Sequence, residues 1–160
     1  MSHAFQTADL YDEHGGALDS VSLVMNDMGG RTAFSGRIRT VRCFRDNPLV
    51  KQILATDGRG QVLVIDGDGS LESALVGDLI GASAVHHGWA GIIVNGVVRD
   101  RLALARLPIG IKALGSNPRK SAKDGAGELD VVVSFGGAIF TPGLTVWADA
   151  DGILVQRAVV

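Results

Sequence analysis

Three short apolar runs, separated by segments of helical spacing, constrain the fold more than any other feature of this chain. They are Gln61–Asp66 (QVLVID), Ala90–Gly96 (AGIIVNG) and Ile109–Leu114, which follows Pro108. None shows a clear polar alternation, as expected of strands covered on both faces. Between the first two lies Leu71–His87, apolar and helical in spacing but interrupted by Gly77 and Gly81. A glycine inside a helix costs about 1 kcal/mol relative to alanine. The pattern therefore predicts a break at Gly77 and a fresh helix from Asp78. A second short helix is predicted over Asp100–Leu107, ended by Pro108. Strand, helix, strand, helix, strand is the alternation of an α/β unit with parallel pairing.

The flanks read differently. Thr7–Asp12 predicts a short helix with Thr7 as its N-cap. Ala33–Val41 reads as a strand, Asn47-Pro48 as a break, and Leu49–Leu54 as a helix. Toward the C-terminus, Val131–Phe135 and Ala138–Thr141 flank Gly136-Gly137, a hairpin signal. Leu144–Ala148 and Gly152–Gln156 flank a second turn, so the last quarter is expected to be antiparallel β. The polar stretch Ser116–Glu128 reads as an exposed loop. With 160 residues, a single domain over residues 1–160 is expected.

Composition narrows the function classes. The net charge is −2 with both signs interspersed, which argues against direct nucleic-acid binding or an anionic membrane surface. No apolar run reaches the ~18 residues of a membrane span. The N-terminal segment lacks the basic and apolar parts of a secretory signal. One cysteine, Cys43, makes no internal disulfide and is expected to pack as a small hydrophobe. These features together point to the cytoplasm. A Walker A loop, a GxSxG elbow, an HExxH pair and a CxxC pair are all missing. So is the glycine-rich strand-to-helix turn, with its following acid, that would suit S-adenosylmethionine.

Two local features stand out as candidate sites. Gly77-Asp78-Leu79-Ile80 enters the predicted helix, where free N–H groups and the positive end of the dipole can hold an anion; Asp78 can equally be a plain N-cap. Arg99-Asp100 follows the strand Ile92-Ile93-Val94 at its C-terminal end, the edge where α/β sheets bind ligands. Arg99 there can grip a carboxylate and Asp100 a hard cation, or the pair can be a surface ion pair and helix cap. Asp66 and Asp68 read as turn formers, and His86-His87 as a helix C-terminus. Pro118-Arg119-Lys120 reads as a basic, solvated loop, with binding of an anion or an acidic partner as the alternative. Lys112 lies on a strand and can in principle form a Schiff base, with nothing to mark it as desolvated.

Asp78 and the Arg99-Asp100 pair are separated by twenty residues, in the setting SALVGDLIGASAVHHGWAGIIVNGVVRD. In this respect the chain resembles the RraA family, which holds the regulator of ribonuclease E activity A, the class II 4-hydroxy-4-methyl-2-oxoglutarate aldolases, and members labelled as MenG-type methyltransferases. The resemblance extends to TVRCFRDN at 40–47, LVIDGDGSLESALVGD at 63–78, IKALGSNPRKS at 111–121 and ADADGILV at 148–155. It implies an α/β fold, specifically a three-layer β/β/α swivelling domain, with a mixed sheet, antiparallel C-terminal hairpins and a homotrimeric assembly with sites near subunit contacts. It implies that Arg99 and the Gly77, Asp78, Leu79, Ile80 turn hold pyruvate or the substrate, and that Asp100 binds Mg²⁺ or Mn²⁺. The implied activity is metal-dependent cleavage of 4-hydroxy-4-methyl-2-oxoglutarate to pyruvate, with oxaloacetate decarboxylation through the same pyruvate enolate. Arg99 and Asp78 would be the catalytic side chains. Ala103 stands where several aldolases carry an acid, and the chain is shorter than those aldolases whose C-terminal extension supplies another. The alternative is a non-catalytic inhibitor of a ribonuclease E-type partner, docking in part through Arg119, Lys120 and Lys123.

Overall fold

A computed structural model describes residues 4–159. In chain order its first elements are α1 (Thr7–His14), β1 (Leu18–Ser20), β2 (Asn26–Asp27), β3 (Phe34–Arg42) and α2 (Pro48–Leu54). Then come β4 (Gln61–Asp66), β5 (Ala74–Val76), α3 (Asp78–His86), β6 (Gly91–Val98), α4 (Arg101–Leu104) and β7 (Gly110–Ser116). The last are β8 (Glu128–Leu129), β9 (Val133–Phe135), β10 (Ala138–Phe140), β11 (Thr145–Asp149) and β12 (Gly152–Gln156).

The three apolar runs form the middle of one mixed sheet. Strands β3, β4, β6 and β7 lie side by side in that order, all parallel. Beyond β3 the sheet continues antiparallel through β11, β12 and β1, and β2 closes the other side antiparallel to β7. The hairpin β9–β10 forms a separate two-stranded sheet across Gly136-Gly137, whose φ values of 59° and 77° a residue with a Cβ would resist.

Alternation along the central strands sends side chains into two cores. Leu63, Ile65, Ile92, Val94 and Ile111 join Val50, Ile53, Leu54, Ala84 and Leu104 from the helices. Val62, Val64 and Ile93 face the other way, onto Val133, Phe140, Val146 and Val155. Helices, central sheet and outer strands thus make three layers, a β/β/α arrangement. Both faces of the parallel strands are covered, which is why their sequences run apolar without alternation.

Several local expectations are corrected. Thr7 is not the N-cap but the first residue of α1. Its N–H and Oγ1 both donate to the Asp149 carboxylate, at 2.8 and 2.6 Å, pinning the helix to the turn after β11. The apolar stretch from Leu71 holds strand β5 before the predicted break at Gly77. The helix after Asp100 spans only Arg101–Leu104. The 116–128 stretch is largely exposed but anchored: Ser121 is buried, and Glu128-Leu129 adds β8 to β3. Among the described residues no helix is long and apolar enough to cross a membrane.

Candidate active site

The candidate site is built by one strand pairing. Strand β5 lies parallel to β6 with Val76 opposite Val98. The residues that follow each strand, Gly77-Asp78 and Arg99-Asp100, therefore emerge side by side at the same C-terminal edge. The Arg99 N–H donates to the Val76 carbonyl at 3.0 Å and ties the two exits together.

Asp100 then takes the left-handed conformation, φ 62°, which aspartate and asparagine tolerate better than most residues. It occupies the cap position of α4 without making a side-chain cap bond. Its carboxylate turns back instead, and Oδ2 accepts the Asp78 N–H at 3.0 Å. Asp78 is likewise not the N-cap of α3; Gly77 is. The Asp78 Oδ1 accepts the Leu79 N–H at 2.8 Å. Two of the amides expected to cradle an anion thus already hold this chain's own carboxylates. Gly77 has an ordinary φ of −127°, so its small size matters for space. A Cβ there would lie 2.8 Å from Asp100 Oδ2 and 3.4 Å from Arg99 Cγ.

Gly77, Asp78, Leu79, Ile80, Arg99 and Asp100 all line one open cleft of about 160 Å³. Every residue expected to form the site is therefore brought together. The cleft also holds residues that the local sequence did not mark as belonging to it: Asn47 and Lys51 at the start of α2, and Lys120, Ser121 and Lys123 from the loop after β7.

That loop is held from beneath. The buried Asp46 carboxylate accepts the N–H groups of Asp124, Gly125 and Ala126. The buried Asn47 donates to the Leu75 carbonyl at 3.1 Å and accepts from Lys123 Nζ at 2.6 Å. Ser121 Oγ donates to the Ala74 carbonyl at 2.7 Å, and the Ala74 N–H donates to the Arg119 carbonyl at 2.8 Å. These bonds join positions 28 to 80 residues apart in sequence, so no local pattern announces them.

The other sequence candidates fall outside the cleft. Asp66 Oδ1 accepts from the Asp68 N–H and from Asn95, a turn role as expected. His87 caps α3, its Nδ1 donating to the Ser83 carbonyl at 2.8 Å. Lys112 is buried, contrary to the absence of any such mark in the sequence, but it is paired. Its Nζ sits 2.9 Å from Asp27 Oδ1 and donates to the Asp149 carbonyl at 2.7 Å, on a separate cavity. Cys43 is buried, and burial, with the Asp46 and Asp66 carboxylates nearby, pushes its thiol up to about 12.

Among the described residues no group of three or more His, Cys, Asp or Glu side chains converges as a metal cage. The charged oxygen donors of the cleft are the carboxylates of Asp78 and Asp100. Hard oxygen donors suit Mg²⁺ or Mn²⁺, and Mg²⁺ is commonly held by one or two carboxylates with the rest of its shell left to ligand and water. The donor set fits a cation shared with a chelating ligand and does not fit a cation caged by protein alone.

The three-layer β/β/α domain falls in the class that the family description Aldolase/RraA covers. The RraA-like model (Aldolase/RraA) matches residues 7–155, and the chain belongs to that family. Its fold superposes on a Geobacillus kaustophilus structure described as an S-adenosylmethionine:2-dimethylmenaquinone methyltransferase, at TM-score 0.94 and 44% identity, covering 98% of this chain and 97% of that one. It matches the RNA-processing inhibitor RraA from Thermus at TM-score 0.93 and 44% identity, covering 96% and 93%. Streptomyces coelicolor RraAS2, an unusual member of the RNase ES inhibitor RraA family, matches at TM-score 0.74 and 25% identity, covering 94% and 78%.

Proposed function

We propose that the cleft is the active site of a metal-dependent lyase that cleaves 4-hydroxy-4-methyl-2-oxoglutarate and decarboxylates oxaloacetate, both through the enolate of pyruvate. The observation that carries this reading is the β5–β6 pairing. It sets the Gly77–Ile80 turn beside Arg99, and among the described residues Arg99 makes no ion pair, its guanidinium reaching only the Pro118 carbonyl at 3.5 Å.

Arg99 binds the carboxylate of the 2-oxo acid through its planar donor fork and offsets the negative charge that grows toward the enolate. The Asp78–Ile80 turn contributes the positive end of α3. Because the Asp78 and Leu79 amides hold Asp100 and Asp78 carboxylates, ligand binding exchanges internal bonds for bonds to substrate. Asp100 and the chelating ligand together would hold Mg²⁺ or Mn²⁺, which when bound supplies Lewis-acid polarisation of the ketone. Asp78 positions a water that takes the C4 hydroxyl proton as the C3–C4 bond breaks and returns a proton to C3 of the pyruvate enolate; with oxaloacetate, CO2 leaves and only the second transfer is needed. Leu79 and Leu102, exposed beside this site, offer apolar contact surface for the homotrimer this reading includes.

Pyruvate release from both substrates, with Mg²⁺ and with EDTA, tests the proposal. Release that requires Mg²⁺ and falls at least ~100-fold in Asp100→Asn supports it. No release from either substrate removes it, and EDTA-resistant turnover trapped by borohydride would point to a lysine route instead.

A second reading, inhibition of a ribonuclease E-type enzyme, is favoured by the identity to the Thermus inhibitor. An inhibitor needs a docking surface and no metal chemistry, so Arg99→Ala and Asp100→Asn would keep partner affinity while abolishing turnover. The methyltransferase description of the Geobacillus relative is not carried over. The glycine-bearing turn after β4 leads into β5 and not into a helix N-terminus, so the usual cofactor cradle of a strand-to-helix turn is missing at that point.

A further inference from the structure

The wall of the cleft that carries Lys120, Ser121 and Lys123 belongs to the segment between β7 and β8, most of which is exposed. Every residue fixed in such a segment costs conformational entropy. Here it is threaded between the turn before α2 and the start of β5. The Ala122 N–H donates to the Arg45 carbonyl at 2.8 Å, the Asn47 N–H to the Ala122 carbonyl at 3.3 Å, and the Ala74 N–H to the Arg119 carbonyl at 2.8 Å. Arg45 is ion-paired to Glu72, so the turn and the chain just before β5 are themselves joined.

Asp46 holds the next residues through its side chain. It is 3% exposed, and its carboxylate accepts three successive N–H groups. Oδ1 takes that of Gly125 at 3.0 Å, and Oδ2 takes those of Asp124 at 3.2 Å and Ala126 at 3.4 Å. Gly125 is left-handed, with φ 80°, and successive N–H groups turned in this way form a concavity for an anion. Among the described residues no cation lies within ion-pair distance of Asp46. A buried charge is costly unless hydrogen bonds compensate it, and here backbone N–H groups do so. A carboxylate presents acceptors only, so all three donors can face it; an amide would turn an NH2 group toward part of the same concavity. Lys123 is straddled by these holds. Ala122 before it is bonded to Arg45 and Asn47, and Asp124 after it to Asp46.

We propose that Asp46, which does not itself line the cleft, is a positioning residue: its buried carboxylate fixes the segment around residues 120–126 so that this wall of the cleft is formed before a ligand arrives. The inference rests on the reading of the cleft as a 2-oxo acid site, but it concerns the order of the wall and needs no turnover. A wall that is already ordered draws no ordering cost from the binding energy. Once loosened it does, and affinity falls while the fold stays intact. The residues at the ends of β5 and β6 remain where strand pairing puts them, so the loss falls on KM more than on kcat.

Asp46→Asn, of nearly the same shape, tests this in the full chain. Hydrogen exchange followed by NMR is expected to be at least ~10-fold faster at the amides of residues 124–126 and unchanged in β4 and β6. Calorimetric titration with oxalate, a planar mimic of the pyruvate enolate, in Mg²⁺-containing buffer is expected to show affinity weakened about tenfold. Pyruvate release is expected to show KM raised more than kcat is lowered. Gly125→Ala, strained at φ 80°, reaches the same contact from the loop and weakens oxalate too, whereas Gly125→Asn, which tolerates a left-handed backbone, stays nearer wild type. This pair decides the matter if Asp46→Asn does not fold, and oxalate affinity unmoved in Gly125→Ala then overturns the proposal. In a folded Asp46→Asn protein, unchanged exchange overturns it, and so does faster loop exchange with wild-type oxalate affinity, which would make Asp46 a structural anchor only. A wild-type protein that binds oxalate but releases no pyruvate sinks the lyase reading and leaves the positioning role standing. A wild-type protein that does not bind oxalate overturns both.

Discussion

Gly77→Ala is the substitution that separates the site from the fold. The backbone at position 77 is extended, with φ −127° and ψ −168°, so alanine is not strained there. The added methyl would lie 2.8 Å from Asp100 Oδ2, where a relaxed carbon–oxygen contact is nearer ~3.3 Å. The carboxylate must therefore retreat by roughly 0.5 Å. It is a short side chain on a left-handed residue, and it holds the Asp78 N–H. The retreat weakens that bond at a cost of about 1 kcal/mol, and alanine is a poorer helix N-cap than glycine by a similar or smaller amount. A loss of ~1–2 kcal/mol lowers the melting temperature of a chain this size by roughly 2–8 °C. The effect on chemistry is larger. Misplacing a reacting group by ~1 Å costs about 100-fold in rate, so half that shift, with Arg99 crowded at 3.4 Å, predicts a loss of ~10- to 100-fold in kcat/KM. Pyruvate release coupled to lactate dehydrogenase gives the rate, and circular-dichroism melting gives the stability. Wild-type kcat/KM in a folded Gly77→Ala protein would refute the argument that Gly77 is there to let Asp100 and Arg99 approach.

Two further outcomes test the frame around the site. Burial works to raise the Asp149 carboxyl, but hydrogen bonds from Thr7, Asp151 and Gly152 outweigh it and hold the group below the usual aspartate range. A depressed folded pKa contributes stability that is present above the unfolded value, ~3.9, and is lost as pH falls through the folded one. Thr7→Ala should thus cost about 1 kcal/mol at neutral pH, and urea titrations should show that difference shrinking below pH ~4; a difference constant down to pH 2 contradicts the pairing. Cys43, its thiol pushed up to about 12 by burial and two nearby carboxylates, should resist a disulfide-exchange reagent at pH 8 in the native protein and react at once in denaturant.

The central strands were legible because burial on both faces writes itself into sequence as unbroken apolar runs, as in β4, β6 and β7. Gly77 announced the start of α3, and Gly136-Gly137 a hairpin. Strand β5 stayed hidden: three residues within an apolar stretch of helical spacing leave no period to read. Thr7 looked like a cap because a hydroxyl before a helix usually serves its own N-terminus, and here a carboxylate 142 residues away takes it. Lys112 showed no sign of burial because its partners, Asp27 and the Asp149 carbonyl, lie on other strands. The Asp78 to Arg99-Asp100 spacing was visible, and it is the β5–β6 register that turns it into proximity. That Lys120 and Lys123 join this cleft was invisible for the same reason that Thr7 was misread. Asp46 and Asn47 look like ordinary turn residues until the loop they hold is in place.

The left-handed backbone at Asp100 has an evolutionary consequence. Few side chains sit easily at φ 62°, and asparagine is one of them. A single aspartate-to-asparagine replacement would preserve the turn, keep an oxygen for the Asp78 N–H and remove the charge. If Asp100 holds the cation as proposed, a lineage can therefore switch that role off while its scaffold and surface stay as they are, leaving a shape free to be recruited for binding alone.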